Sequence, residues 1–159
     1  MNQRTAGRIH AAMRRIANHF RHENYPAALL EIQSLDKRNR RMSEIRYCEA
    51  TALMHLRRWQ EALELLDQLA DEDASRPVVL LDLATCLIEL ERDREALNVL
   101  AINHTELGGL AEYHVLLARI AARHWKIAEA LAAARKAIDI NPDARRMIDK
   151  LPDLKAVVH

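Results

Sequence analysis

Apolar residues recur along most of this chain at spacings of three and four, the period of an amphipathic helix. Between residues 43 and 76, Leu53, Met54 and Leu56 end one such stretch, and Ala62, Leu63, Leu65, Leu66 and Leu69 form the face of the next. Arg57-Arg58-Trp59-Gln60 lies between them, a turn of the length that antiparallel helices need. The pattern then repeats. Ala28, Ala62, Ala96 and Ala130 fall 34 residues apart, each followed by a leucine, Leu29, Leu63, Leu97 or Leu131. This period divides the chain into four units, 9–42, 43–76, 77–110 and 111–144, each predicted to be a helix pair, with 145–159 left over.

Numbering each unit from 1 to 34 gives a register. Position 8 is Ile16, Ala50, Ala84 and Ala118, and position 20 is alanine throughout. Small residues there let the two helices of a unit approach closely, since a larger side chain would push the axes apart. Ile16 is the widest departure and predicts a looser first unit. Positions 11 (His19, Leu53, Leu87, Ala121) and 24 (Ile32, Leu66, Leu100, Ala134) complete the packed faces. Pro26 and Pro77 suit the first turn of a helix, where a missing N–H costs nothing. Gly108-Gly109 suits a helix end, Asn141-Pro142 stops another, and Asp143 is positioned to cap the helix that follows. Met147, Ile148, Leu151 and Leu154 share one side of a C-terminal capping helix, which Pro152 should break after Leu151; the last residues, Ala156 to His159, are expected to fray.

Composition supports an all-helical reading. With 159 residues the chain can bury a substantial core, and its 3 glycines and 4 prolines leave few helix breakers. No apolar run approaches the ~18 residues of a membrane span. The segment Met1 to Arg15 is basic and acid-free but lacks the apolar core of a secretory signal. A transit peptide fits it less well than a first repeat beginning at Ile9, so the cytoplasm is the expected location. Cys48 and Cys86 sit in apolar stretches of different units without CxxC spacing, which predicts packed thiols rather than a disulfide or metal site. The net charge of +1 hides an asymmetry: residues 1–46 carry +6, residues 60–112 carry −10 and residues 113–159 carry +4. Basic ends flanking an acidic middle bear on steering and on self-association.

In these features the chain resembles the tetratricopeptide repeat family. The fourth unit carries the pattern best, with Leu117, Ala118, Ala130, Ala137 and Pro142 at positions 7, 8, 20, 27 and 32. The second supplies Ala50, Trp59 and Ala62, the third Leu83, Ala84 and Ala96, and the first Tyr25 and Ala28 but Arg15 at position 7. Position 32 holds Arg40, Ala74 and Gly108 in the other three units, which therefore lack its proline. The resemblance implies an all-α, right-handed α-solenoid of four helix pairs plus a C-terminal cap, in one domain over 1–159. It also implies a protein-binding function, since such repeats hold other chains rather than perform chemistry.

In that family the first helix of each unit lines a concave face through positions 2, 5, 9, 12 and 13. Carried over, position 5 contributes Met13, Tyr47, Leu81 and Val115, and position 12 contributes Phe20, Met54, Ile88 and Ala122. The expected partner-binding groove is therefore Met13, Phe20, Tyr47, Met54, Leu81, Ile88 and Val115, with Ala17, Thr51, Thr85 and Arg119 at position 9. A groove of this character suits an apolar or amphipathic segment, with self-coverage or dimer burial as the alternative. It does not suit the carboxylate clamp of some family members: Met13, Ala17, Cys48, Val78 and Asp82 occupy the positions where donors and positive charge would be needed. Length and groove character are similar to those of the small adaptor chaperones of bacterial type III secretion.

Other chemistry has weaker support. The run Lys37-Arg38-Asn39-Arg40-Arg41, with Arg4, Arg8, Arg14, Arg15 and Arg21, could meet nucleic-acid phosphates. Aromatics for base stacking are scarce, so a solvated basic turn is the preferred reading. Docking on the acidic stretch Asp71-Glu72-Asp73 of another copy would make a homo-oligomer. His19 and His22 lie three apart, yet no ligand set completes a metal site, and His114 and His124 are read as packing residues. No nucleophile motif or phosphate-cradling glycine loop is present. The expectation is a non-enzymatic adaptor or chaperone without cofactor or metal.

Overall fold

A computed structural model describes the backbone of residues 3–73 and 75–158 and the side chains of 7–73 and 75–155. Every regular element among the described residues is a helix. The chain divides into two units, Met1–Asp73 and Ala74–His159. The first contains α1 (Gln3–Arg21), α2 (Tyr25–Gln33), α3 (Lys37–Arg40), α4 (Ser43–His55) and α5 (Trp59–Glu72). Helix α1 packs on α2, α2 on α4 and α4 on α5. Ile16, Ile32 and Ile45 make a core cluster against which Met13, Phe20, Leu35 and Cys48 pack. Ile16 is only 1% exposed, so the bulk at position 8 is taken up inside this cluster.

The basic run after α2 is a turn of helix rather than an irregular loop. Asp36 caps α3 by accepting from the Asn39 N–H at 2.9 Å and from the Asn39 side-chain amide at 2.9 Å. Arg40 reaches Glu49 at 3.3 Å, while Lys37, Arg38 and Arg41 stay exposed.

The second unit contains α6 (Pro77–Glu89), α7 (Asp93–Ile102), α8 (His104–Leu107), α9 (Ala111–Arg123), α10 (Ile127–Ile140), α11 (Ala144–Lys150) and α12 (Pro152–Val158). Ala118, Ala130, Ala134 and Ala137 pack with Val115, Ile148 and Leu154 in one cluster. The C-terminal segment is two short helices, broken after Leu151 at Pro152 as the sequence predicts. Asp143 stands at the start of α11 but makes no capping bond; it is itself helical, and Asn141 Oδ1 accepts from the Asp143 N–H at 3.0 Å. Position 32 of the repeat at 43–76, Ala74, lies outside the described residues, as do His159 and the side chains of 156–158, on which the expected fraying falls.

The second helix of the repeat at 77–110 is interrupted at Asn103, whose side-chain amide donates to the Val99 carbonyl at 2.8 Å, and Gly108 ends the short α8 that follows. A Cβ at Gly108 would stand 2.7 Å from the His104 carbonyl oxygen, so glycine is required for this close approach. His114 Nε2 lies 2.9 Å from the Gly108 carbonyl oxygen and must donate to it, which fixes the tautomer. His104 and the Tyr113 hydroxyl meet at 3.1 Å beside it. Burial holds the His114 imidazole below its ordinary pKa.

The 34-residue period is also written in the backbone. Among the described residues, Glu23, Arg57, Glu91 and Trp125, each at position 15, are the non-glycine residues with positive φ, between 54° and 61°. Around each, the following N–H reaches back five residues, as in Asn24 to His19 (2.8 Å), Arg58 to Leu53 (2.9 Å), Arg92 to Leu87 (2.8 Å) and Lys126 to Ala121 (2.9 Å). This is the Schellman end of a helix, which satisfies otherwise orphaned carbonyls. Its tightness makes Trp59 the first residue of α5, so Trp59 and Gln60 of the expected turn of 57–60 are already helical.

Three measurements follow from this packing. Ala62 is 0% exposed, so Ala62→Leu should cost ~1–3 kcal/mol in urea unfolding; an unchanged midpoint would show that position 20 is not a close contact. Arg57→Gly should gain roughly 0.5–1 kcal/mol by relieving the left-handed turn, and Arg57→Val should lose stability. His114 stabilises the fold as the neutral imidazole, fully so above its unfolded pKa. That contribution is lost as pH falls below about 6.5, where the unfolded state takes the proton first. Thermal melts from pH 7.5 to 5 should show a smaller acid-side loss in His114→Gln than in the parent.

Candidate functional site

In the first unit the expected groove residues are half-buried. Met13 and Phe20 pack against the isoleucine cluster with their outer surfaces still accessible. Phe20 meets Tyr25 edge-on at 5.7 Å, and Tyr25 stacks on His55 with ring centroids 4.0 Å apart. Tyr47 and Met54 are half-buried on α4. Thr51 Oγ1 donates to the Tyr47 carbonyl at 2.9 Å, and Thr85 Oγ1 repeats the bond to Leu81 at 2.8 Å in the second unit. These position-9 hydroxyls spend their protons on carbonyls of their own helices.

The second unit forms a cleft of about 610 Å³ between α6, α9 and α11. Leu81 from α6 and Val115 from α9 line it, as the register expects. Leu81 is half-buried, while Val115 is 2% exposed and belongs to the floor. Ile88 has no exposed surface; its carbonyl receives Arg123 Nη1 at 2.5 Å. Of the residues expected in the groove, Ile88 therefore presents nothing to a ligand. The register did not single out Val78, Leu116, Met147 and Leu151, which also line the cleft. Val78 occupies position 2, a groove position of the same register. Met147 and Leu151 were assigned only to the cap, although their four-residue spacing marks a helix face.

The cap bears directly on this face. Helix α12 packs on α9 and α10, and Leu154, 0% exposed, joins Val115, Ala118 and Ala122 in one cluster. Arg119, at position 9 and 6% exposed, donates from Nη2 to Glu89 Oε1 at 2.7 Å and to Asp153 Oδ2 at 2.9 Å, with Nε 3.1 Å from the same Asp153 oxygen. The chain's own C-terminal segment thus covers the inner face of the fourth repeat beyond Arg119, and the cleft remains open on the α6 side. There Val78 is 46% exposed and Met147, on the cap, 40%. A second depression, of about 670 Å³, lies outside this face, between Leu97 of α7, Leu117 and Ile120 of α9 and Ala133 of α10.

Burial pushes the Cys86 thiol up to about 12 and raises Cys48 as well, so both stay protonated and unreactive at neutral pH. Among the described residues no group of three or more His, Cys, Asp or Glu could hold a metal, and no helix is long and apolar enough to cross a membrane.

The geometry agrees with known proteins. The tetratricopeptide repeat family model matches residues 53–120. A thermophilic tetratricopeptide repeat protein of Thermus thermophilus, TTC0263, superposes with a TM-score of 0.74 at 20% identity, covering 93% of this chain and 80% of that one. MamA of Desulfovibrio magneticus RS-1 gives 0.70 at 17% identity, covering 93% and 88%. YrrB, described as a tetratricopeptide repeat protein with an unusual peptide-binding site, gives 0.67 at 21%, covering 84% and 70%. No curated protein matches the chain significantly. Residues 53–120 thus match the tetratricopeptide repeat family, and the register of small residues, the repeated helix hairpins and these superpositions give the chain the tetratricopeptide repeat fold, one that in general serves the binding of protein partners.

Proposed function

We propose that this chain is a non-enzymatic adaptor or chaperone that holds an apolar or amphipathic segment of a partner protein in the cleft between α6, α9 and α11. The observation that carries the reading is the cleft itself: a 610 Å³ depression with an aliphatic floor of Leu81, Val115 and Leu116. Its lips, Val78 and Met147, are large apolar side chains left 46% and 40% exposed. Exposed apolar surface gathered around a concavity marks an interaction site, whereas scattered surface hydrophobics do not.

The magnitudes support modest affinity. Four partner side chains buried there contribute about 6–12 kcal/mol of gross transfer energy at ~1.5–3 kcal/mol each. Association and ordering cost about 4–15 kcal/mol. A protein that holds and then releases a hydrophobic segment needs that balance, and it is the activity to which the type III secretion chaperones also put such grooves. YrrB, with its peptide-binding site, supports the same use of the fold.

The test is a double variant. Val78→Glu with Leu81→Glu places two charges in the cleft without touching Ile88 or the alanine contacts. Helicity by circular dichroism should be unchanged, and proteins that co-purify with the parent chain from its source cells should be lost. Retention of the same partners by a folded double variant would overturn the proposal.

A further inference from the structure

Helices α1 and α5 of the first compact unit carry opposite charge, and neither mixes in the other sign. Helix α1 holds Arg4, Arg8, Arg14, Arg15 and Arg21 without an acid, and α5 holds Glu61, Glu64, Asp67, Asp71 and Glu72 without a base. Local partners cancel part of each row. Glu31, the one charged residue of α2, pairs with Arg15 at 2.6 Å. Arg58 pairs with Glu61 at 2.5 Å, and Arg46 of α4 with Glu72. What remains is Arg8, Arg14 and Arg21 on α1 and Glu64, Asp67 and Asp71 on α5. All six are exposed and stand outside the ion pairs of the described residues; Arg21 meets Asn18 at 3.4 Å, and Glu64 meets the Gln60 amide at 3.3 Å.

The two rows also match in spacing. Seven residues separate Arg14 from Arg21, and seven separate Glu64 from Asp71. At ~1.5 Å per residue each pair spans roughly 10 Å along one helix face. Asp67 lies between the two acids, and the exposed Ala11, Ala17 and Asn18 border the two arginines. Side chains this small let another helix come close to α1. The chain's other cations are arranged differently. Lys37, Arg38 and Arg41 crowd the four-residue α3 and its end, without that spacing. Residues 113–159 carry a net +4, but Arg119, Arg123, Lys126 and Arg146 each pair with an acid there or on a neighbouring helix. Arg135 and Lys136 share α10 with Glu129 and Asp139.

We infer that α1 of one copy docks along α5 of a second copy, with Arg14 and Arg21 set against Glu64 and Asp71. The occupant is a second copy because this chain itself carries the acidic helix whose spacing fits the arginine row. The contact uses a different surface from each copy, so it need not close on itself and can extend from copy to copy. Charge holds it: among the described residues, none of the exposed large apolar side chains lies on α1 or α5. Exposed ion pairs are weak one by one, and a small polar contact exchanges readily. The association is therefore reversible and sensitive to salt. It is independent of the groove-capture reading, which concerns the second unit.

Exchanging the charges tests it. Sedimentation velocity of the full chain should show a mass above the monomer in about 0.05 M salt, rising with protein concentration, and the monomer alone at about 1 M, where screening acts within ~3 Å. Arg8→Glu with Arg14→Glu and Arg21→Glu gives α1 the sign of α5. Glu64→Lys with Asp67→Lys and Asp71→Lys gives α5 the sign of α1. Each triple variant alone should stay monomeric in low salt. An equimolar mixture of the two should associate again, because each then complements the other. The replaced side chains are exposed, so circular dichroism should match the parent. If a triple variant loses its helicity, Arg14→Gln with Arg21→Gln takes its place and should weaken association about tenfold. Lys37→Gln with Arg38→Gln removes exposed cations of α3 and should leave association intact. A parent chain monomeric at every salt, charge variants that associate as the parent does, or a mixture that stays monomeric would overturn the inference. So would a monomeric parent that binds duplex RNA or anionic vesicles through Arg14 and Arg21, which would assign the row to another polyanion.

Discussion

The structure depends on a contact that leaves no room. Ala28, Ala62, Ala96 and Ala130 at position 20, and Ala50, Ala84 and Ala118 at position 8, are all 0% exposed. Protein interiors are packed so closely that one added methylene at such a point must displace a helix. The alanines thereby fix how near the two helices of a hairpin come and how each is rotated. Once that rotation is fixed, positions 5, 9 and 12 of the first helix leave the hairpin interface on the other side. The Schellman turns at Glu23, Arg57, Glu91 and Trp125 serve the same end. Each reverses the chain within about three residues, keeps the hairpin tight and accepts the cost of a left-handed non-glycine residue.

The second unit shows how such a scaffold comes to leave an apolar cleft open. A repeat array must cover the apolar face of its last hairpin. Here the cover is broken at Pro152, so α11 forms one wall of a cleft while α12 lies across α9. The break therefore decides which part of the inner face stays open. Arg119 links the two roles: it is buried, it is compensated on both sides, and it ties the inner helix to the cap. A buried guanidinium is tolerated only with such partners, and satisfying it leaves a mainly aliphatic cleft.

Much of this organisation was legible in the residues. The four hairpins, their proline starts at Pro26 and Pro77, the stop at Asn141-Pro142 and the break at Pro152 are consequences of local chemistry. Local chemistry reached less far where two local preferences competed. Asp143 has a capping side chain but sits in helical backbone, and Asn141 takes the N–H instead. The interruption at Asn103 depends on a bond to Val99 and on room that only Gly108 leaves beside His104.

The sequence by itself determined the period, the helices and the register, because hydrogen bonds and steric preferences within a few residues decide them. It also singled out Leu81 and Val115 at the cleft. The tertiary structure decided which groove positions stay exposed and what charge they show. Ile88 holds position 12 of its repeat, as Met54 does of another, yet the first is 0% exposed and the second half-buried. Arg119 reads as a groove cation until Asp153, 34 residues later, and Glu89, 30 residues earlier, are found on its guanidinium. Burial and charge compensation are properties of neighbours in space, and a repeat pattern sees neighbours only along the chain.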